Sequence, residues 1–62
     1  METPHYAAEE LAGIAQDIAQ QNGCEAVRWW QDQRDPRFLL IEAKTTAPHA
    51  PSMRITLQAF LD

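Results

Sequence analysis

The chain has 62 residues, with nine acidic and five basic side chains, a formal net charge of −4 and a single cysteine. A chain of this length forms one domain, here residues 1–62, and buries only about 60% of the surface that its unfolded form exposes, so oligomerisation is a common source of added stability. The acidic balance disfavours nucleic acid and anionic membrane surfaces as partners, because both carry negative charge. One cysteine excludes an intrachain disulfide.

The first residues, Met1 to Pro4, lack the basic region and apolar run of a signal peptide. No stretch is long and apolar enough to suggest a membrane span. We therefore expect a soluble cytoplasmic protein that does not act at a membrane.

The first predicted element is a helix from about Pro4 to Gln21. Thr3 suits the N-cap position and Pro4 the first helical position, while Asn22-Gly23 is a typical helix stop. Apolar residues recur at helical spacing and form one stripe: Leu11, Ile14, Ala15 and Ile18. Alanines flank this stripe, so the helix could lie close to a sheet. Its other side is polar and acidic, which predicts a solvated surface: Glu9, Glu10, Gln16, Asp17 and Gln20.

Two strands should follow, at about Glu25 to Gln31 and Arg37 to Lys44, with Asp32 to Pro36 as the turn. Gln31 is placed opposite Arg37, and neighbouring residues then alternate between the two faces of the hairpin. One face takes Val27, Trp29, Leu39 and Ile41, and the other takes Arg28, Trp30, Phe38 and Leu40. Both faces are apolar, so one covering layer cannot bury them together.

A loop is predicted from Thr45 to Ser52, because Pro48 and Pro51 prevent continuous strand pairing. From Met53 onwards apolar and polar residues alternate, which favours a third strand over the alternative of a second helix. The predicted fold is therefore α+β, with one helix packed on a three-stranded antiparallel sheet in the order α-β-β-β. The predicted core consists of Val27, Trp29, Leu39, Ile41, Ala43, Met53, Ile55 and Leu57.

The sheet face opposite the helix keeps several apolar residues with charged and polar neighbours. We predict a partner-binding site there, formed by Arg28, Trp30, Phe38, Leu40 and Phe60. Its rim would hold Glu42, Lys44, Arg54 and Gln58. Exposed aromatic residues with a charged rim are typical of an interface, although scattered exposed apolar residues are also common on surfaces that bind nothing. A homodimer is the simplest occupant, since a twofold axis hides both copies of one patch; a different protein partner is the other. The function predicted from this face is a non-enzymatic adaptor, inhibitor or assembly subunit.

Residues able to carry chemistry are few and isolated. Cys24 lies at the C-terminal end of the helix, where the helix dipole disfavours a thiolate, so a structural role is expected. His5 and His49 lack further ligands at metal-binding spacing. Arg34 and Arg37 could clamp an anion but more commonly keep a hairpin tip soluble. We therefore predict no catalytic residues, no metal site and no cofactor.

The middle of the chain also resembles a known family. The matching residues are Gly23, Cys24, Asp35, Pro36, Arg37, Phe38, Leu39, Leu40, Ile41 and Glu42. This stretch, within about Leu11 to Glu42, is similar to the antibiotic-biosynthesis-monooxygenase family of small dimeric α+β barrels, which includes cofactor-independent oxygenases and haem-degrading enzymes. Ala43 and Lys44 stand where that family usually has a tryptophan. The resemblance implies an alternative function, the binding of a flat aromatic ligand or haem between helix and sheet.

Overall fold

The computed structural model describes residues 6–61 and has the predicted α-β-β-β order. The helix α1 spans Ala8–Gln21, and the strands are β1 (Cys24–Gln31), β2 (Phe38–Thr45) and β3 (Arg54–Phe60). The strands form one antiparallel sheet in the order β1-β2-β3. The α+β class is confirmed. The strand interpretation of the last segment is also confirmed, and the helical alternative is wrong.

The helix begins later than predicted. Ala7 is the N-cap, with extended backbone angles (φ −66°, ψ 152°), and its N–H donates to the Glu10 carboxylate at 3.4 Å. Because Tyr6 and Ala7 are not helical, the predicted start at Pro4 is wrong, while Thr3, Pro4 and His5 themselves lie outside the described residues. Glu10 thus supplies the return half of a capping box, while the N-cap residue Ala7 makes no side-chain hydrogen bond to the first turn.

The end of the helix is as predicted. Asn22 is the C-cap, and Gly23 adopts a left-handed φ of +68°. Its N–H donates to the Gln20 carbonyl oxygen at 3.1 Å. Glycine takes this conformation without the strain that a Cβ atom imposes. The chain can therefore turn directly from α1 into β1.

The register of the hairpin differs from the predicted one by two residues. Gln31 lies opposite Leu39 rather than Arg37, and Trp29 lies opposite Ile41. Because side chains alternate with a period of two, an even shift keeps every residue of this segment on its predicted face. The prediction of the faces near the turn is therefore correct although the pairing is not.

The turn itself is held by local hydrogen bonds. The Asp32 N–H donates to the Phe38 carbonyl oxygen at 2.9 Å, which continues the pairing beyond the strand. The Gln31 side chain donates to the Pro36 carbonyl oxygen at 2.8 Å. Asp35 accepts from the backbone N–H of Arg37 at 3.2 Å, the pattern of an Asx turn. These bonds fix the connection between β1 and β2.

A β-bulge at Val27 changes the faces in the first half of β1. The register shifts between Ala26 and Arg28, so Val27 is an extra residue with no partner in β2. Its side chain is 41% exposed, and its assignment to the core is wrong. Beyond the bulge Ala26 lies opposite the buried Ala43, and Cys24 is buried as well. The bulge therefore directs two small side chains towards the helix in place of valine.

The core lies between α1 and the sheet. Its buried members are Ala15, Ala19, Cys24, Leu39, Ile41, Ala43 and Leu61. The core assignments of Leu39, Ile41 and Ala43 are thereby confirmed, and half-buried Trp29, Ile55 and Leu57 pack against them. Met53 was assigned to the core and is instead 63% exposed, because it precedes β3 at the end of the loop. Two fully buried alanines let α1 approach the sheet closely, as the apolar stripe predicts.

The helix does not cover the three strands equally. It contacts β1 most extensively and touches β2 and β3 much less. On β3 the residues that face the helix side are only half-buried: Ile55, Leu57 and Ala59. The edge strand β3 is thus less covered by the helix than the other edge strand, β1.

Candidate interaction face

The sheet surface opposite α1 has no covering layer within residues 6–61. We call it the open face. The pairing of the strands places on it Glu25, Arg28, Trp30, Phe38, Leu40, Glu42, Lys44, Arg54, Thr56, Gln58 and Phe60. All five residues predicted to bind a partner lie on this one surface. The face divides into an apolar end near the β1–β2 turn and a charged end near the loop before β3.

The apolar end is a continuous cluster, defined here as Trp30, Phe38, Leu40 and Phe60. Trp30 lies opposite Leu40, and Phe38 lies opposite Phe60 with the ring centroids 5.5 Å apart in an edge-to-face arrangement. Trp30 is 40% exposed and Phe60 57% exposed. Aromatic pairs of this geometry hold each other in place. Phe38 and Phe60 therefore support each other within the cluster.

Two arginines lie over the rings of this cluster. The Arg28 guanidinium is 5.1 Å from the Trp30 ring centroid, and that of Arg37 is 5.7 Å from the Phe60 centroid. Asp35 orients Arg37 by accepting from its Nε at 3.0 Å and from its Nη2 at 3.1 Å. The side-chain hydrogen bond from Arg37 also lowers the pKa of the Asp35 carboxyl. Tryptophan and arginine are the residue types most enriched among interface hot spots.

The contact between Arg37 and Phe60 is not predicted by the sequence pattern, which indicates only that Arg37 and Arg34 could clamp an anion. Its guanidinium is bound to Asp35 in a bidentate pair, so two of its donors already have an acceptor. A shallow groove borders Trp30 and Leu40 and is otherwise lined by Asp32, Gln33 and Arg34. The turn residues thus extend the apolar cluster with a polar margin.

The charged end is organised around Glu42. One carboxylate oxygen accepts from Arg28 Nε, and the other accepts from Arg54 Nη1 at 2.9 Å. The hydrogen bond from Arg28, followed by that from Arg54, holds the pKa of Glu42 below its ordinary value of 4.5. Both arginine side chains remain about 70% exposed, so water and salt screen these pairs. They position the arginines more than they stabilise the fold.

The Glu42 carboxylate should make the free energy of unfolding decrease at acid pH. Its pKa is lowered in the folded protein. Its contribution to the free energy of unfolding is therefore complete when the pH is above the pKa that the group has in the unfolded chain. The contribution is lost as the pH falls through the pKa that the group has in the folded protein. We expect Glu42→Gln to be less stable than wild type at pH 7 and to lose less stability between pH 6 and pH 3. Urea unfolding at each pH measures this, with Asp17→Asn as the exposed control. Parallel curves for Glu42→Gln and wild type would contradict the pairing.

The remaining candidates for chemistry do not form a site in the described residues. Cys24 is buried, and its Sγ donates to the Asn22 carbonyl oxygen at 3.3 Å, as a structural cysteine would. His49 lies exposed in the loop before β3. Residues 6–61 contain no group of three histidine, cysteine, aspartate or glutamate side chains that could hold a metal ion. Their helix is too short and too polar to cross a membrane.

The middle of the space between helix and sheet is filled by protein. Ala15 and Ala19 of α1 and Leu39 and Ile41 of β2 have no exposed surface. A flat ligand there would therefore have to displace these side chains, whereas a pocket beside them, between α1 and β1, is lined by Gln16, Gln20, Cys24, Glu25, Ala26 and Thr46. No protein-family model, curated protein or solved structure matches this chain. Fold and face together define a small α+β domain in which residues 6–61 cover only one side of the sheet with a helix, and the family resemblance stays a prediction.

Proposed function

We propose that this chain is a small non-enzymatic interaction protein that binds another protein chain through the open face, and that a second copy of itself is the first occupant. The observation that carries the proposal is the apolar cluster, in which Trp30 and Phe60 remain exposed although the Trp30 ring contacts the Arg28 guanidinium and the Phe60 ring packs against Phe38. On a surface that binds nothing, holding exposed aromatic rings in place adds little to the stability of the fold. A binding surface gains affinity, because the rings need no rearrangement.

Charge on the open face is compatible with a twofold contact. The arginines held by Glu42 lie at one end of the face, and the apolar cluster lies at the other. A twofold axis through the cluster puts the two apolar ends in contact and carries the two charged ends away from each other. Burying on the order of 400 Å² on each copy would contribute roughly 10 kcal/mol per copy at about 25 cal/mol/Å², or about 20 kcal/mol for the pair, before the loss of association entropy, which offsets much of it.

The test is the mass in solution, measured by light scattering behind size exclusion across a concentration series. We expect wild type to be associated and Trp30→Ala to have half its mass while keeping the same circular dichroism spectrum. Met53→Ala is the matched control, because Met53 is apolar and more exposed than Trp30 but lies outside the open face. It should keep the wild-type mass. An unchanged mass for Trp30→Ala would refute self-association through this face.

The alternative of a flat aromatic ligand is tested with the same samples. Haem, flavins and quinones added to the wild type should produce neither a change in their absorption spectra nor a rise in the melting temperature. A saturable spectral change that survives in Trp30→Ala would favour a site between helix and sheet over the proposed interaction.

A further inference from the structure

The two edges of the sheet differ in how well they could pair with another strand. The outer edge of β1 is interrupted by the bulge at Val27. The strand β3 is paired with β2 in regular register along its whole length and contains no proline. A regular strand with a free edge is a template for another strand, whereas a bulge obstructs such pairing. Among the described residues, the edge of β3 is therefore the one suited to extend the sheet.

The hydrogen bonds at the two ends of β3 show which of its backbone groups point outwards. The Thr45 N–H donates to the Met53 carbonyl oxygen at 3.0 Å, and the Leu61 N–H donates to the Arg37 carbonyl oxygen. Since bonding alternates along an antiparallel pair, residues at even separation from Met53 also bond to β2. The others direct their N–H and C=O groups to the free edge: Arg54, Thr56, Gln58 and Phe60.

We propose that β3 pairs antiparallel with β3 of a second copy around a twofold axis at Leu57. In this register Thr56 lies opposite Gln58 of the second copy, and Arg54 lies opposite its Phe60. Every outward-directed residue of one copy therefore meets an outward-directed residue of the other. Moving the axis to Thr56 or Gln58 leaves part of the strand without a partner, so Leu57 is the centre that uses all of β3.

The side chains match in the same register. On the helix side Leu57 would meet Leu57, and Ile55 would meet Ala59, all of which are half-buried where α1 leaves β3 partly uncovered. On the open face Arg54 would meet the ring of Phe60 instead of a second arginine. No like charges lie opposite each other. Cross-strand pairs of this kind stabilise antiparallel sheets.

The resulting assembly is a six-stranded sheet with both helices on one side. Its outermost strands are the two β1 strands, and the bulge at Val27 hinders the addition of further strands there. The open faces stay uncovered on the other side. This inference is therefore independent of the proposed function, since the edge and the face can each be occupied without the other.

Two double variants test the register with charges. Thr56 and Gln58 are exposed, so both can be replaced without disturbing the core. Thr56→Lys/Gln58→Lys puts like charges opposite each other in the proposed pairs and should halve the mass in solution. Thr56→Lys/Gln58→Glu puts opposite charges there and should keep the wild-type mass. A wild-type mass for the first variant, or an equal loss in both, would overturn the proposal.

Combining these variants with Trp30→Ala separates the two proposed contacts. If both contacts form, wild type contains four or more chains, Trp30→Ala contains two, and Trp30→Ala/Thr56→Lys/Gln58→Lys contains one. If only the edge contact forms, wild type and Trp30→Ala both contain two chains, and the dilysine variant contains one. If only the face contact forms, the dilysine variant and the Thr56→Lys/Gln58→Glu variant have equal masses, and the β3 pairing is overturned while the proposed function stands.

Discussion

Leu39→Ala is expected to lower the free energy of unfolding by about 2 to 5 kcal/mol, the usual cost of truncating a fully buried leucine. Leu39 has no exposed surface and lies on the central strand beneath the helix. A protein of this length is stable by roughly 3 to 9 kcal/mol at about 0.05 to 0.15 kcal/mol per residue. The substitution therefore removes a large share of the total. Urea unfolding followed by far-ultraviolet circular dichroism measures the loss.

The adjacent leucine supplies a matched control. Leu40→Ala deletes the same atoms one residue along the strand, but Leu40 is only half-buried on the open face. We expect a loss of about 1 kcal/mol or less, in the range of partly exposed apolar positions. Both variants are measured at concentrations where they are monomeric, because association adds apparent stability. Equal losses would mean that the two faces of β2 are buried alike.

Ala15→Leu has the second largest expected effect, a loss of about 1 to 3 kcal/mol from overpacking. Ala15 lies in the middle of α1 without exposed surface and faces the sheet. A leucine there must either adopt a strained rotamer or push the helix away from Leu39 and Ile41. The intrinsic helix propensities of alanine and leucine differ too little to account for such a loss.

Ala8→Leu is the control for this substitution. Ala8 is the first residue of the same helix and is exposed. The same increase in side-chain volume should change the free energy of unfolding by no more than about 0.5 kcal/mol there. Urea unfolding compares the two. If Ala15→Leu is as stable as Ala8→Leu, the helix does not approach the sheet through its alanines.

The elements and their faces could be predicted because their signals are local. Helical spacing identifies the stripe that ends at Gly23, and alternation assigns Trp30 and Leu40 to the face opposite Trp29 and Leu39. An error of two residues in register leaves such assignments intact. The sequence also predicts the charged residues at the rim of this face, but the error in register hides the pairing of Arg28 with Glu42, because the predicted register puts Arg28 opposite Leu40.

The bulge at Val27 and the position of Met53 at the end of the loop could not be predicted from the alternation of apolar and polar residues. Val27 is apolar, β-branched and in alternation with Trp29, which favours burial, but a bulge depends on how β1 fits against β2. Met53 likewise continues the alternation of β3 although the strand begins one residue later. Arg37 reaches Phe60 only because β3 returns beside β2, a contact between residues far apart in sequence.

The chain contains two tryptophans, and they are neighbours. Strand alternation sends the Trp29 ring towards the core, where it is half-buried, and leaves Trp30 40% exposed on the open face. Each side of the sheet thus carries its own intrinsic fluorophore. In a Trp30→Phe variant the fluorescence emission comes from Trp29 and reports the docking of the helix. In a Trp29→Phe variant it comes from Trp30 and reports whether the open face is occupied. Folding and association can therefore be observed separately without an attached dye.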